Sequence, residues 1–109
     1  MNMHDQIIDL VNKRNHVSFA ELHRDVEGFA GDMEITLAPN LIIWQGVSDH
    51  ASDAINHLKQ SGDIVLMPSS LLVYIVDGRC LNIPIAKRFQ PYKKPHWLPT
   101  VLCRPGSLP

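Results

Sequence analysis

Six histidines (His4, His16, His23, His50, His57, His96) and two cysteines (Cys80, Cys103) are the side chains of this chain best suited to hold a metal or move a proton. Their spacing serves neither purpose. No C-x-x-C, H-x-x-x-H or H-E-x-x-H run occurs, and such spacings are what bring ligands together on one turn or one helix face. Asp53 and His57 stand four apart, close enough on a helix to share a hydrogen bond. A surface pair of this kind is worth only a few tenths of a kcal/mol and recurs on many helices. There is no G-x-S-x-G run and no phosphate-cradling glycine loop; Gly28 and Gly31 read as the end of a helix. The chain reads as non-catalytic, with no metal and no cofactor.

Binding is the better use of its polar residues. Ser52, Asn56 and Gln60 fall along one helical face with Lys59 beside them. Amide side chains at that spacing can pair with adenine in a DNA major groove, and a lysine can reach a phosphate. The solvated side of any amphipathic helix carries similar residues, so they define a face and not yet a site. The second candidate is basic. Residues 1–85 hold Lys13, Arg14, Arg24, Lys59 and Arg79 against all eleven acids, a balance of −6. Residues 86–109 hold Lys87, Arg88, Lys93, Lys94 and Arg104 with no acid, a balance of +5. Charge asymmetry of this kind marks an interaction segment. Lys87, Arg88, Lys93 and Lys94 suit phosphates, whereas Tyr92, Trp97 and Arg104 are the residue types that dominate protein interfaces. A third reading has the basic segment wrapping its own acidic body.

The elements that must position these residues centre on residues 47–78. Ser48 is placed to cap a helix whose first turn carries Asp49, and Ala51, Ala54, Ile55 and Leu58 recur at helical spacing. Gly62 is the natural stop. Residues 64–67 and 71–76, split by Pro68-Ser69-Ser70, read as a β-hairpin by their β-branched and aromatic content. Asp77-Gly78 reads as a two-residue turn that returns a short third strand over residues 79–83. Upstream, residues 3–14 have the period of a helix, and Ser18 with Glu21 forms a capping box, with Val17 and Leu22 as its hydrophobic staple. Residues 35–37 and 41–44 read as two strands around Ala38-Pro39-Asn40. After Ile85, Pro91, Pro95, Pro99, Pro105 and Pro109 favour extended chain. The expected class is therefore α+β: three helices with a small antiparallel sheet over residues 1–85, and a basic, Pro- and aromatic-rich tail over residues 86–109.

Helix, short capped helix, strand, third helix and hairpin, in that order, resembles a winged-helix domain. The residues that carry the resemblance are Ser18 to Leu22, Ser48 to Leu58, the exit at Ser61-Gly62-Asp63-Ile64, and Leu71 to Val76. In that family the third helix enters the DNA major groove and the hairpin touches the backbone beside it. The resemblance implies a winged-helix-like fold, duplex DNA as partner and a role in transcription regulation. The alternative it leaves open is a protein-interaction module with an acidic body and a Pro-aromatic docking tail. A homodimer suits either reading. Two departures stand out: the link between the second and third helices, residues 26–47, is far longer than a helix-turn-helix turn, and the third helix carries Asp49 and Asp53 with only Lys59 opposing them.

Size and composition set the outer bounds. A chain of 109 residues with 45% hydrophobic content makes one domain with a modest core. No run approaches the ~20 apolar residues a membrane helix needs, so no membrane partner is expected. The acidic residues near the N-terminus do not resemble an export signal, and two cysteines do not make a disulfide scaffold, so the expected location is cytoplasmic.

Overall fold

Asn2 opens the first helix, α1 (Met3–Arg14), its side chain accepting the Asp5 N–H at 2.9 Å. The computed structural model describes residues 2–106. Ile7 and Val11 of α1 face the core, and the chain then turns through Asn15 and His16 into a two-residue strand, β1 (Val17–Ser18). Ser18 closes the expected capping box of α2 (Phe19–Asp25): its Oγ accepts the Glu21 N–H at 3.1 Å, and its own N–H donates to Glu21 Oε2 at 2.8 Å. Arg24 and Arg14 both donate to Asp25 and hold its carboxyl down at about 2, which ties α2 to the end of α1.

The hairpin expected around Pro39-Asn40 is present as β2 (Ala30–Ala38) and β3 (Leu41–Val47), with Asn40 left-handed at φ 58° in the turn. β3 is buried for most of its length and lies between β2 and a late strand, β5 (His96–Trp97), which runs parallel to it. The hairpin delivers the chain to α3 (Asp49–Ser61) with the expected caps, Ser48 at the start and Gly62 at φ 80° at the end. Ser48 is held from two sides: its N–H donates to Phe29 O at 2.8 Å and its Oγ to Gly28 O at 2.7 Å. Gly31 passes so close to this corner that a Cβ would stand 2.5 Å from Ser48 Cα, so only glycine fits.

Beyond α3 the structure departs from the sequence expectation. β4 (Val65–Pro68) does not form a hairpin with residues 71–76. Those residues form a fourth helix, α4 (Leu71–Asp77), with Ser70 as N-cap and Gly78 at φ 77° as C-cap. Asp77-Gly78 is therefore a helix end, and no strand forms over residues 79–83. β-propensity measures fit to a pleated, half-buried surface. Here that place is taken, because β4 pairs antiparallel with β6 (Thr100–Cys103), the middle strand of a sheet ordered β1-β6-β4.

The expected tail follows the same correction. Residues 86–103 do not leave the body: they supply β5 and β6, and Thr100, Val101, Leu102 and Cys103 are all buried. Residues 107–109, including Pro109, lie outside the described residues. A radius of gyration of 12.9 Å is what a single compact chain of this length has, about 13 Å, leaving no extended arm among the described residues. The architecture is α+β, with four helices and two three-stranded sheets among the described residues. No helix among them is long and apolar enough to cross a membrane. Cys80 is exposed and Cys103 buried, both as free thiols; burial pushes the Cys103 thiol up.

The core is built on aromatic rings from distant parts of the chain. Trp44 of β3 packs on Phe19 of α2, Tyr74 of α4 and Trp97 of β5, with ring centroids 6.2, 5.2 and 6.0 Å away. Both indole N–H groups are satisfied, Trp97 donating to Ile43 O at 3.3 Å and Trp44 to His23 Nδ1 at 3.1 Å.

Candidate nucleic-acid interface

The polar face of α3 is displayed as its spacing predicts. Ala51, Ala54, Ile55 and Leu58 are buried, Asn56, Lys59 and Gln60 are exposed, and Ser52 is half-buried. Asp49 and Asp53 are exposed on the same helix. No hydrogen bond joins Asp53 to His57; the His57 ring lies edge-on to His4 of α1, centroids 5.1 Å apart.

The basic residues lie elsewhere, on a loop between α4 and β5. Lys87, Arg88, Lys93 and Lys94 are all exposed. Among the described residues the ion pairs use Lys13, Arg14 and Arg24, and none uses these four cations. Their backbone is braced by Tyr92. Its hydroxyl accepts the N–H groups of Lys87 and Arg88 and donates to Arg88 O, each at 3.2 Å. Its ring stacks on His96 at 4.0 Å, and the His96 ring bonds Lys94 O through Nδ1 at 2.8 Å. The brace is anchored on the β2–β3 turn: Tyr92 N–H donates to Pro39 O at 3.0 Å, Asn40 Nδ2 to Tyr92 O at 3.0 Å, and His96 N–H to Asn40 O at 2.8 Å. Between these parts runs a groove of about 450 Å³, lined by Pro84, Ile85, Lys87, Arg88, Gln90, Tyr92 and His96.

The residues expected to bind nucleic acid therefore fall into two groups. The basic loop docks just before β3 begins, and α3 starts just after β3 ends. The seven residues of β3 put about 20 Å between those two anchor points. Of the residues expected to bind a protein partner, Trp97 is 1% exposed and belongs to the core, so it cannot meet a partner. Tyr92 is engaged in bracing the loop, and Arg104 lies apart beside α1, its N–H donating to Asn15 Oδ1 at 2.8 Å. The role of Tyr92 and Asn40 as loop anchors has no local signal in the sequence, because both act through partners about fifty positions away.

A second polar cluster lies where α2 meets α4. Ser18 Oγ donates to Asp77 at 2.5 Å, and Arg79 Nη2 stands 3.4 Å from His23 Nε2. Serine, aspartate and histidine are all near, but Ser18 is fully buried and its hydroxyl is committed to its cap and to Asp77. His23 serves the core. Its Nδ1 must be unprotonated to accept the Trp44 N–H, and burial, with the Arg79 charge added, lowers its pKa below the ordinary 6.5. A protonated ring would set a donor against the indole donor. His23 therefore contributes stability that is present above about pH 6.5 and is lost as pH falls through its lowered folded value. Urea midpoints should drop between about pH 7.5 and pH 5, and His23→Gln, which keeps an acceptor but does not titrate, should flatten that part of the curve.

Comparison with protein-family models, with curated proteins and with solved structures gives no match.

Proposed function

We propose that this protein binds duplex DNA as an elaborated winged-helix domain, in the manner of a small transcriptional regulator. What carries the reading is the loop of four exposed cations, Lys87, Arg88, Lys93 and Lys94, unpaired among the described residues and braced as one unit by Tyr92. Unpaired cations held together on a rigid loop neutralise phosphates and release counterions without first breaking ion pairs of their own. The order of elements supports the winged-helix part: α1, β1, α2, α3, β4 and β6 follow one another in the chain, β1, β6 and β4 make one sheet in that spatial order, and the β2–β3 hairpin is inserted between α2 and α3. The long connection from β4 to β6, which carries the basic loop, then occupies the place of the wing. In this scheme the loop supplies affinity, and Ser52, Asn56 and Gln60 of α3, with Lys59, supply base and phosphate contacts of their own. Asp49 and Asp53 on α3 oppose phosphate, so the wing is the anchor.

Fluorescence anisotropy of a labelled duplex tests it. Affinity should fall with salt along a log–log slope between about −2 and −4, since each phosphate neutralised contributes about −0.9. Lys93→Ala with Lys94→Ala should reduce the magnitude of that slope by about two at most, and Asn56→Ala should relax sequence preference at unchanged fold. Absence of binding at low salt and high protein concentration would end the proposal.

A further inference from the structure

The helix that was expected to be a strand leaves most of its apolar side chains in solvent. Of the seven residues of α4, Tyr74 alone is buried, while Leu71, Leu72, Ile75 and Val76 are 37, 66, 55 and 83% exposed. Together they present on the order of 400 Å² of apolar surface, the size of the largest apolar patch on a typical monomer, which is often functional. The DNA contacts proposed above do not use this face: it carries no cation, and the basic loop lies beyond it in the chain.

We infer that the exposed face of α4 is the contact between two copies of this chain, related by a two-fold axis. A two-fold contact sets residues near the axis against themselves, so its centre must carry no charge. α4 meets that condition, having no ionisable group between Leu71 and Val76 except the buried Tyr74 phenol. Its rim carries both signs. Glu21 and Asp77 line the groove beside Leu72 and Val76, and Arg24 and Arg79 line the adjoining groove that shares Asp77. Arg24 and Glu21 are engaged within the chain, but Asp77 and Arg79 make no ion pair among the described residues and can pair with each other's copies across the axis, whereas a rim of one sign would repel its copy. The whole chain has a formal charge of −1, so long-range repulsion between two copies is small. The area also fits. A stable interface takes about 800 Å² from each partner with an apolar centre. The α4 face supplies about half of that as an apolar centre, and Glu21, Arg24, Asp77 and Arg79 stand around it. A membrane surface fits less well, because a helix that lies on lipid carries lysines or arginines along its flank and α4 carries none.

Sedimentation velocity of the full chain, from about 1 µM to about 1 mM, reads the result directly, since an interface at the small end of the stable range associates within those concentrations. The mass should rise from one chain to two and stop there. Val76→Lys places a charge at the most exposed apolar position of α4 and suits the C-terminal end of a helix. It should raise the dissociation constant at least tenfold at unchanged melting temperature, with Leu72→Lys behaving alike and Val76→Leu retaining the dimer. A wild-type chain that stays monomeric throughout overturns the inference and leaves the face to a different protein. A dimer indifferent to both lysine variants, or association that continues past two chains, overturns it equally.

Discussion

A chain ended after Ile85 will not fold. The segment removed contains β6, the strand that lies between β1 and β4, so both neighbours lose every ladder hydrogen bond they have. It also contains Trp97 and Leu102, both essentially without solvent exposure, and the buried Val101 and Cys103. Emptying the space of one buried tryptophan costs about 3–5 kcal/mol, and of one buried leucine about 2–5 kcal/mol. Those two alone come to about 5–10 kcal/mol, against the roughly 5–15 kcal/mol that holds a domain of this size together. Circular dichroism should show a cooperative melt for the full chain and none for the truncated chain. A truncated chain that melts cooperatively would mean that residues 86–103 are an appendage after all. The point matters for function, because the basic loop cannot be deleted to test DNA binding; it has to be neutralised in place, as in the paired lysine substitutions.

The second large effect turns on one oxygen. Tyr74 is the single side chain of α4 that is buried, and its hydroxyl accepts the Phe19 N–H at 3.0 Å while donating to Thr100 O at 2.5 Å. It thus joins the first turn of α2 and the start of β6 to α4 at one atom. Burial pushes the phenol above its ordinary pKa, so the proton that serves Thr100 stays in place across the usual pH range. Tyr74→Phe keeps the ring packed against Trp44 and Trp97 but leaves a buried N–H and a buried carbonyl without that partner. Each such group costs about 1–3 kcal/mol. The expected loss is therefore roughly 2–6 kcal/mol, seen as a lower denaturant midpoint at constant slope and a melting temperature lower by about 10 °C or more. A loss under about 0.5 kcal/mol would show that water replaces the hydroxyl at both groups.

These two effects concern contacts that no local pattern announces. Much else was legible. The capping box at Ser18 and Glu21, the caps of α3 at Ser48 and Gly62, the stripe from Ala51 to Leu58 and the turn at Pro39-Asn40 all appear where the residues place them. Each of these signals acts within three or four residues, so the chain carries it regardless of what surrounds it. The display of Asn56, Lys59 and Gln60 followed for the same reason, since a stripe buried on one side of a helix determines which residues are left on the other.

What the sequence by itself determined, then, is the first two thirds of the chain: its helices, its first hairpin, and which side of α3 meets water. Tertiary structure alone decided the last third. Residues 71–76 have the composition of a strand, and residues 100–103 lie among prolines, yet the second group takes the place beside β4 and the first becomes a helix. The choice rests on which segment can fill the gap between β1 and β4 while bringing Trp97 against Trp44, a competition between positions some thirty residues apart. Local propensity does not register such a competition, because its outcome depends on burial and pairing that exist only once the remote partners are in place. The gathering of Lys87, Arg88, Lys93 and Lys94 around Tyr92 and the exposure of the α4 face are consequences of that same outcome.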